Sequence, residues 1–190
     1  MRVVLASKSP RRTEILTTAK IKHTVRHCKT DLPEIIDTSL EIEDAIIQIA
    51  KEKALCVFEE ESDAVVIGVD TVVLLDSVIL GKPKSKIEAV AMIEQLQGRK
   101  HSVLTGVFII SKEKTTSFYA KTEVEFSKMT TDEIIHFVEN EEVYDKAGAY
   151  AIQGLASRYI KSITGDYYNV MGLPVCQLYK ILKQYEKNPQ

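Results

Sequence analysis

The sequence has no long apolar run, little excess of one charge and few cysteines. Nothing in it approaches the roughly 18 consecutive apolar residues of a membrane-spanning helix. The run behind Met1-Arg2 is also too short for a secretory leader. The chain therefore reads as soluble, not exported and cytoplasmic. Its formal net charge is −2 and it carries no basic block, so an extended nucleic-acid surface has no electrostatic support. Neither nucleic acid nor membrane is an expected partner. Cys28, Cys56 and Cys176 are odd in number, far apart and without a CxxC pair. That pattern reads as reduced thiols rather than a disulfide framework or a zinc site. The P-loop and dinucleotide-binding glycine patterns are missing, as is the HExxH zinc pattern. His23 and His27 stand four apart, but in a strand-like stretch that would not present both rings like a helical metal pair.

What is present is an ordinary globular mixture, 45% apolar and 27% charged, long enough to bury one core without staples. No linker or repeat divides it, so residues 1–190 read as a single domain. Strand patterns fall at 3–6, 22–29, 64–69 and 72–75, with a break at Asp70-Thr71 and a turn at Asp76-Ser77. A long hairpin is expected at 102–110 and 116–126, and a further strand at 158–163. Helices are expected at 10–19, where Ser9 is a good N-cap and Pro10 fits the first position. Another should cover 41–58, with an apolar stripe that includes Ile42, Ala45, Ile46 and Ile49. Capping boxes at Ser85/Glu88 and Thr130/Glu133 open two more, and Pro174 opens the last. Strands and helices mix throughout, which argues for an α/β or α+β sheet covered by helices.

Five segments carry chemistry. In Ser7-Lys8-Ser9-Pro10-Arg11-Arg12 a strand ends and a helix begins with two arginines in its first turn. Cations there oppose the helix dipole unless an anion sits among them, so the segment is either a phosphate cradle or a solvated basic turn. Lys53 falls inside the apolar stripe of its helix. It either snorkels to solvent or meets an anion. Asp70 interrupts a run otherwise buried on both faces. An unpaired buried carboxylate costs several kcal/mol, so Asp70 should be paired, protonated or metal-bound, unless it merely caps a turn. Its neighbour Thr71 should face the opposite side. Gly81-Lys82-Pro83 is a cationic loop. In residues 148–154 glycines flank alternating residues that end in Gln153. A glutamine both donates and accepts, which suits reading a base edge, although the segment also reads as a strand with two bends.

Together these segments resemble the Maf family of nucleotide pyrophosphatases. The matching stretches are Leu5-Ala6-Ser7-Lys8-Ser9-Pro10-Arg11-Arg12, Glu52-Lys53-Ala54, Gly68-Val69-Asp70-Thr71-Val72-Val73, Leu80-Gly81-Lys82-Pro83 and Ser102-Val103-Leu104-Thr105-Gly106-Val107. Asp145-Lys146-Ala147-Gly148-Ala149-Tyr150-Ala151-Ile152-Gln153-Gly154 and the segment from Gly165 to Pro174 complete the set, in the family's order. The resemblance implies an inosine-triphosphatase-like α/β fold: a long twisted mixed sheet, flanking helices and two lobes around a central cleft. It implies hydrolysis of a nucleoside triphosphate to the monophosphate and pyrophosphate. By that pattern Asp70 is catalytic, and Arg12, Thr71 and Gln153 set nucleotide choice in the manner of the dTTP- and UTP-acting subgroup. Ser7, Lys8, Arg11, Lys53 and Lys82 would meet the phosphates. Asp70 and Glu34 would hold a divalent cation, Mg²⁺ or Mn²⁺. Alternatives within the same resemblance are a 7-methyl-GTP pyrophosphatase and a nucleotide-binding division regulator without turnover. The implied role is clearing the nucleotide pool, with a link to division arrest. Beyond the substrate, a homodimer is the partner the resemblance allows.

Overall fold

Val3–Ala6 is buried at every position and forms strand β1. It lies between two parallel neighbours, β2 (Thr24–Arg26) and β3 (Val65–Leu75). Parallel strands buried on both faces read as continuous apolar runs, as β1 and β3 do. The computed structural model describes residues 1–29 and 35–186. Between β1 and β2 runs helix α1 (Pro10–Thr18), and between β2 and β3 runs α2 (Ile42–Phe58). The strand β4 (Val78–Leu80) folds back antiparallel on the end of β3. Helix α3 (Lys86–Leu96) follows, then β5 (Lys100–Ile110), β6 (Thr115–Phe126), α4 (Thr131–Asn140), β7 (Ile160–Thr164), α5 (Tyr167–Val170) and α6 (Val175–Glu186). The fold is mixed α/β. Among the described residues the sheet has seven strands in the order β2-β1-β3-β5-β6-β7, with β4 paired to β3. None of the helices among them is long and apolar enough to cross a membrane.

The chain gathers into two compact units. The first comprises Met1–Asp70, Thr105–Ala120 and Gly172–Gln190. Its core includes Val4, Ala6, Ala54, Val57, Val66 and Ile110. Two glycines seat α2 on the sheet. A Cβ at Gly68 would lie 1.9 Å from the Ala50 carbonyl oxygen, and one at Gly106 would lie 2.7 Å from that of Ile46. Only a residue without a side chain permits this backbone-to-backbone approach. α6 docks through Tyr185, whose hydroxyl donates to Thr116 Oγ1 at 3.0 Å.

The second unit comprises Thr71–Leu104 and Lys121–Met171. Its core includes Val73, Leu80, Ile93, Val103, Val124, Phe126 and Phe137. Phe126, Val124 and Thr122 are buried along one face of β6, as their alternation predicts. Thr130 and Glu133 form the full capping box of α4. At α3 the expected box is altered: Ser85 accepts from the Glu88 N–H, but Glu88 accepts from the N–H of Lys84. The fully buried Asn169 of α5 donates to the Val103 carbonyl and to Thr122 Oγ1, both at 3.0 Å.

Two expectations are corrected. β3 does not break at Asp70-Thr71 but runs unbroken through both residues. The carboxylate that argued for a break is matched by a lysine, so the strand need not end to expose it. Cys28 and Cys56 are not separate thiols but a disulfide, with Cα atoms 5.6 Å apart. Their 28-residue separation conceals that the loop after β2 meets the last turns of α2. Cys176 is free and exposed.

Candidate active site

The first unit brings six of the expected residues, Ser7, Lys8, Arg11, Arg12, Lys53 and Asp70, onto three adjoining elements. At the end of β1 the chain turns through Ser7-Lys8-Ser9, and Pro10 opens α1. Ser9 occupies the N-cap position, but its side chain makes no capping bond. Ser7 Oγ takes the Ser9 N–H instead, at 3.2 Å. No acidic residue stands in the first turn of α1, so its dipole is opposed by Arg11 and Arg12 rather than complemented.

Arg12 resolves that conflict by turning inward, where it is 8% exposed. Its Nη1 donates to Ser7 Oγ and to the Val69 carbonyl, both at 2.9 Å. Its Nε donates to the Gly172 carbonyl at 2.9 Å. One guanidinium thus joins the loop after β1, the residue before Asp70 and the loop before α6. Hydrogen bonds from a charged donor are worth about 1.5–3 kcal/mol each, so Arg12 is a structural clamp whatever else it touches. Lys8 is exposed and Arg11 half-buried on the same turn.

Asp70 lies one residue beyond the clamped Val69 carbonyl and is buried. Lys53 Nζ, on α2, donates to Asp70 Oδ1 at 2.5 Å. Their side chains are 18% and 9% exposed respectively. Both expectations are thereby resolved: Lys53 meets an anion, and Asp70 is paired. Removing one member of such a pair strands the other and costs about 3–5 kcal/mol when burial is complete. The pair's position depends on Gly68, two residues before Asp70, because that glycine sets how closely Ala50 and Ala54 of α2 approach β3.

The second unit holds Thr71, Lys82 and Gln153. Thr71 follows Asp70 directly on β3 and is half-buried. The Gly81 carbonyl accepts the Gly148 N–H at 2.9 Å, which ties the Lys82 loop to the segment bearing Gln153. That segment is not a bent strand. Gly148 and Gly154 take φ of +68° and +78°, which favour glycine, and the chain forms a 3₁₀ turn at Gly154–Arg158. Gln153 itself is exposed.

Glu34, the expected second metal carboxylate, lies outside the described residues. Among those described, no three His, Cys, Asp or Glu gather as a metal cage. Asp70 offers a hard oxygen donor of the kind Mg²⁺ takes when one or two carboxylates and substrate phosphates complete its shell.

The sequence did not point to His101, which stands one residue before the expected strand. His101 Nε2 is 2.7 Å from Tyr150 Oη, and both residues are buried. Burial holds the imidazole's pKa down at about 4 and pushes the Tyr150 phenol up. Nor did the sequence point to Glu141, whose Oε1 accepts the Leu155 N–H.

Comparison with known proteins identifies relatives along nearly the whole chain. The family model described as "Maf-like protein" matches residues 2–185. A dTTP/UTP pyrophosphatase of Bacillus cereus (strain G9842) is 44% identical over 185 residues, 97% of this chain and 96% of that protein. One of Bacillus mycoides (strain KBAB4) is 44% identical over 187 residues, 98% and 97% of the two chains. Among solved structures, a nucleoside-triphosphatase, dITP/XTP pyrophosphatase, of Mycobacterium abscessus is similar over 68% of this chain and 76% of its own, at 11% identity and a TM-score of 0.43. On the near-complete family match and these full-length relatives, the chain belongs to the Maf family.

Proposed function

We propose that this protein hydrolyses dTTP and UTP, and modified pyrimidine triphosphates, to the nucleoside monophosphate and pyrophosphate. One arrangement carries the reading: a buried carboxylate, Asp70, held 2.5 Å from Lys53 Nζ, in the unit whose α1 begins with two arginines. The full-length relatives named dTTP/UTP pyrophosphatases support it. Water attacks the α-phosphorus as its proton passes to the Asp70 carboxylate. The bond from that phosphorus to the bridging oxygen breaks, and pyrophosphate leaves with the oxygen. Lys53 orients Asp70 through Oδ1. Lys8, Arg11 and Lys82 answer the roughly four negative charges of the triphosphate, with Ser7 contributing to the same binding, so charge neutralisation and positioning supply most of the acceleration. A Mg²⁺ or Mn²⁺ held by Asp70 and Glu34 would add Lewis-acid neutralisation of phosphate charge.

Arg12, Thr71 and Gln153 set the choice of base in this proposal. A carboxamide presents a donor and an acceptor side by side. Thymine and uracil share the N3–H donor beside the O4 acceptor, whereas cytosine reverses both. A site built for the first pattern leaves polar groups unmatched against the second. The enzyme is proposed to be cytoplasmic, to form a homodimer, to bind neither nucleic acid nor membrane, and to clear pyrimidine triphosphates from the pool, with a role in division arrest. The test is pyrophosphate release from a nucleotide panel with and without Mg²⁺ or Mn²⁺. Metal-dependent turnover favouring dTTP and UTP is expected. Preference for 7-methyl-GTP would overturn the base assignment, and no turnover of any nucleotide would make the protein a binding regulator.

A further inference from the structure

The Gln153 segment is fastened on both sides by side chains that no nucleotide-binding role requires. Three residues before Gln153, Tyr150 is buried with its Oη 2.7 Å from His101 Nε2. His101, Phe126 and Tyr150 pack edge to face, with centroids 4.9–5.4 Å apart. The other ring nitrogen, His101 Nδ1, is buried without a partner. A phenylalanine would fill that space without stranding a polar atom, which costs free energy when buried. What the imidazole adds is the bond to Tyr150. Two residues after Gln153, the Leu155 N–H donates to Glu141 Oε1. A Cβ on the intervening Gly154 would lie 2.4 Å from the same oxygen, so the carboxylate sits directly against the turn. Ser157 Oγ closes the turn by donating to the Gly154 carbonyl at 2.6 Å. Between these fastenings Gln153 remains exposed.

We infer that Glu141, through the Leu155 N–H, and His101, through Tyr150 Oη, are positioning residues that hold Gln153 for base selection. This rests on the proposed reading of Gln153 as the base selector. A carboxamide discriminates bases only if its donor and acceptor are held in register. A displacement of about 1 Å is enough to lose much of a positioned contact's effect. The fastenings lie on the backbone and on a ring remote from Asp70 in sequence, so their loss falls on binding of the correct base and not on the chemical step. That signature is a raised KM at unchanged kcat.

The test uses the full-length enzyme and steady-state pyrophosphate release from dTTP, UTP and CTP. Glu141→Ala, Glu141→Gln, Tyr150→Phe, Gln153→Ala and the Glu141→Ala/Gln153→Ala double variant are compared with wild type. Glu141→Ala and Tyr150→Phe are expected to raise KM for dTTP and UTP at least fivefold with kcat within twofold. Their KM for CTP should not rise. Glu141→Gln keeps an acceptor for the Leu155 N–H and is expected to stay within twofold of wild type. The double variant should lose no more than Gln153→Ala alone, because Glu141 acts through Gln153. If Gln153→Ala shifts base preference while Glu141→Ala and Tyr150→Phe match wild type, the positioning inference is overturned and the selector reading stands. Equal losses for all three nucleotides, or additive losses in the double variant, also overturn it. If Gln153→Ala leaves preference unchanged, the selector reading falls and the inference falls with it.

Discussion

Replacing Gly68 with alanine tests how the Lys53–Asp70 pair is positioned. The new Cβ would lie 1.9 Å from the Ala50 carbonyl oxygen, 2.8 Å from Ala54 N and 2.9 Å from Ala54 Cβ. A carbon and a carbonyl oxygen in ordinary contact stand about 3.3 Å apart or more. α2 must therefore retreat by about 1.4 Å at that point. The obstacles are helix backbone and a fully buried alanine, so no flexible side chain can swing aside. Overpacking typically costs about 1–3 kcal/mol, and this contact belongs at the upper end. For a chain of this size about 3 kcal/mol lowers Tm by roughly 6–12 °C. The same retreat draws Lys53 from Asp70, and a misplacement of about 1 Å near reacting groups can cost about 100-fold in rate. Thermal and urea melts, with turnover measured well below the transition, read both effects. A Gly68→Ala protein with wild-type Tm and wild-type kcat would refute the reasoning that backbone contact at this glycine fixes the pair.

Two further outcomes are expected. His101 is held at about 4 by burial, below its ordinary 6.5, so the folded state favours the neutral ring. That contribution is complete above pH 6.5 and is lost as pH falls towards 4; between pH 7 and 5 it amounts to about 2 kcal/mol. The shifted carboxylates Asp37, Glu61, Asp63, Glu125 and Glu139 all titrate lower than usual and act below this window. Urea midpoints should therefore fall from pH 7 to 5 in wild type and not in His101→Asn, and equal slopes would contradict the assignment. Without reductant, a thiol reagent should titrate one group, Cys176, in denatured protein, and three after reduction; three without reduction would remove the disulfide from the account.

Local signals in the sequence were legible because their causes are local. Pro10 opens α1 by removing an N–H that would lack a helical partner, and Thr130 with Glu133 caps α4 by satisfying backbone groups, each within one turn. Asp70 and Lys53 were each conspicuous for the same reason: each places a charge where its pattern calls for an apolar residue. Their bond to one another joins positions 17 apart in sequence and follows only once α2 is seated on Gly68. Arg12 read as one of two cations in a helix start that was either a phosphate cradle or a solvated basic turn. Its inward turn depends on the Val69 and Gly172 carbonyls, which no nearby residue announces. The Cys28–Cys56 bond and the His101–Tyr150 contact were hidden for the same reason, because each joins segments that meet only in the folded chain. Short α5 carries too few residues for a periodic pattern to show.

The central claim is that the Asp70 carboxylate takes the proton of the attacking water. Asp70→Asn keeps the shape and removes the charge. General-base removal typically costs about 100- to 10,000-fold. The decisive measurement is pyrophosphate release from dTTP and UTP by this variant, beside a melt to confirm folding. The account predicts a folded protein that turns over less than about one hundredth as fast as wild type. A folded variant that retains a tenth or more of the wild-type rate would contradict it.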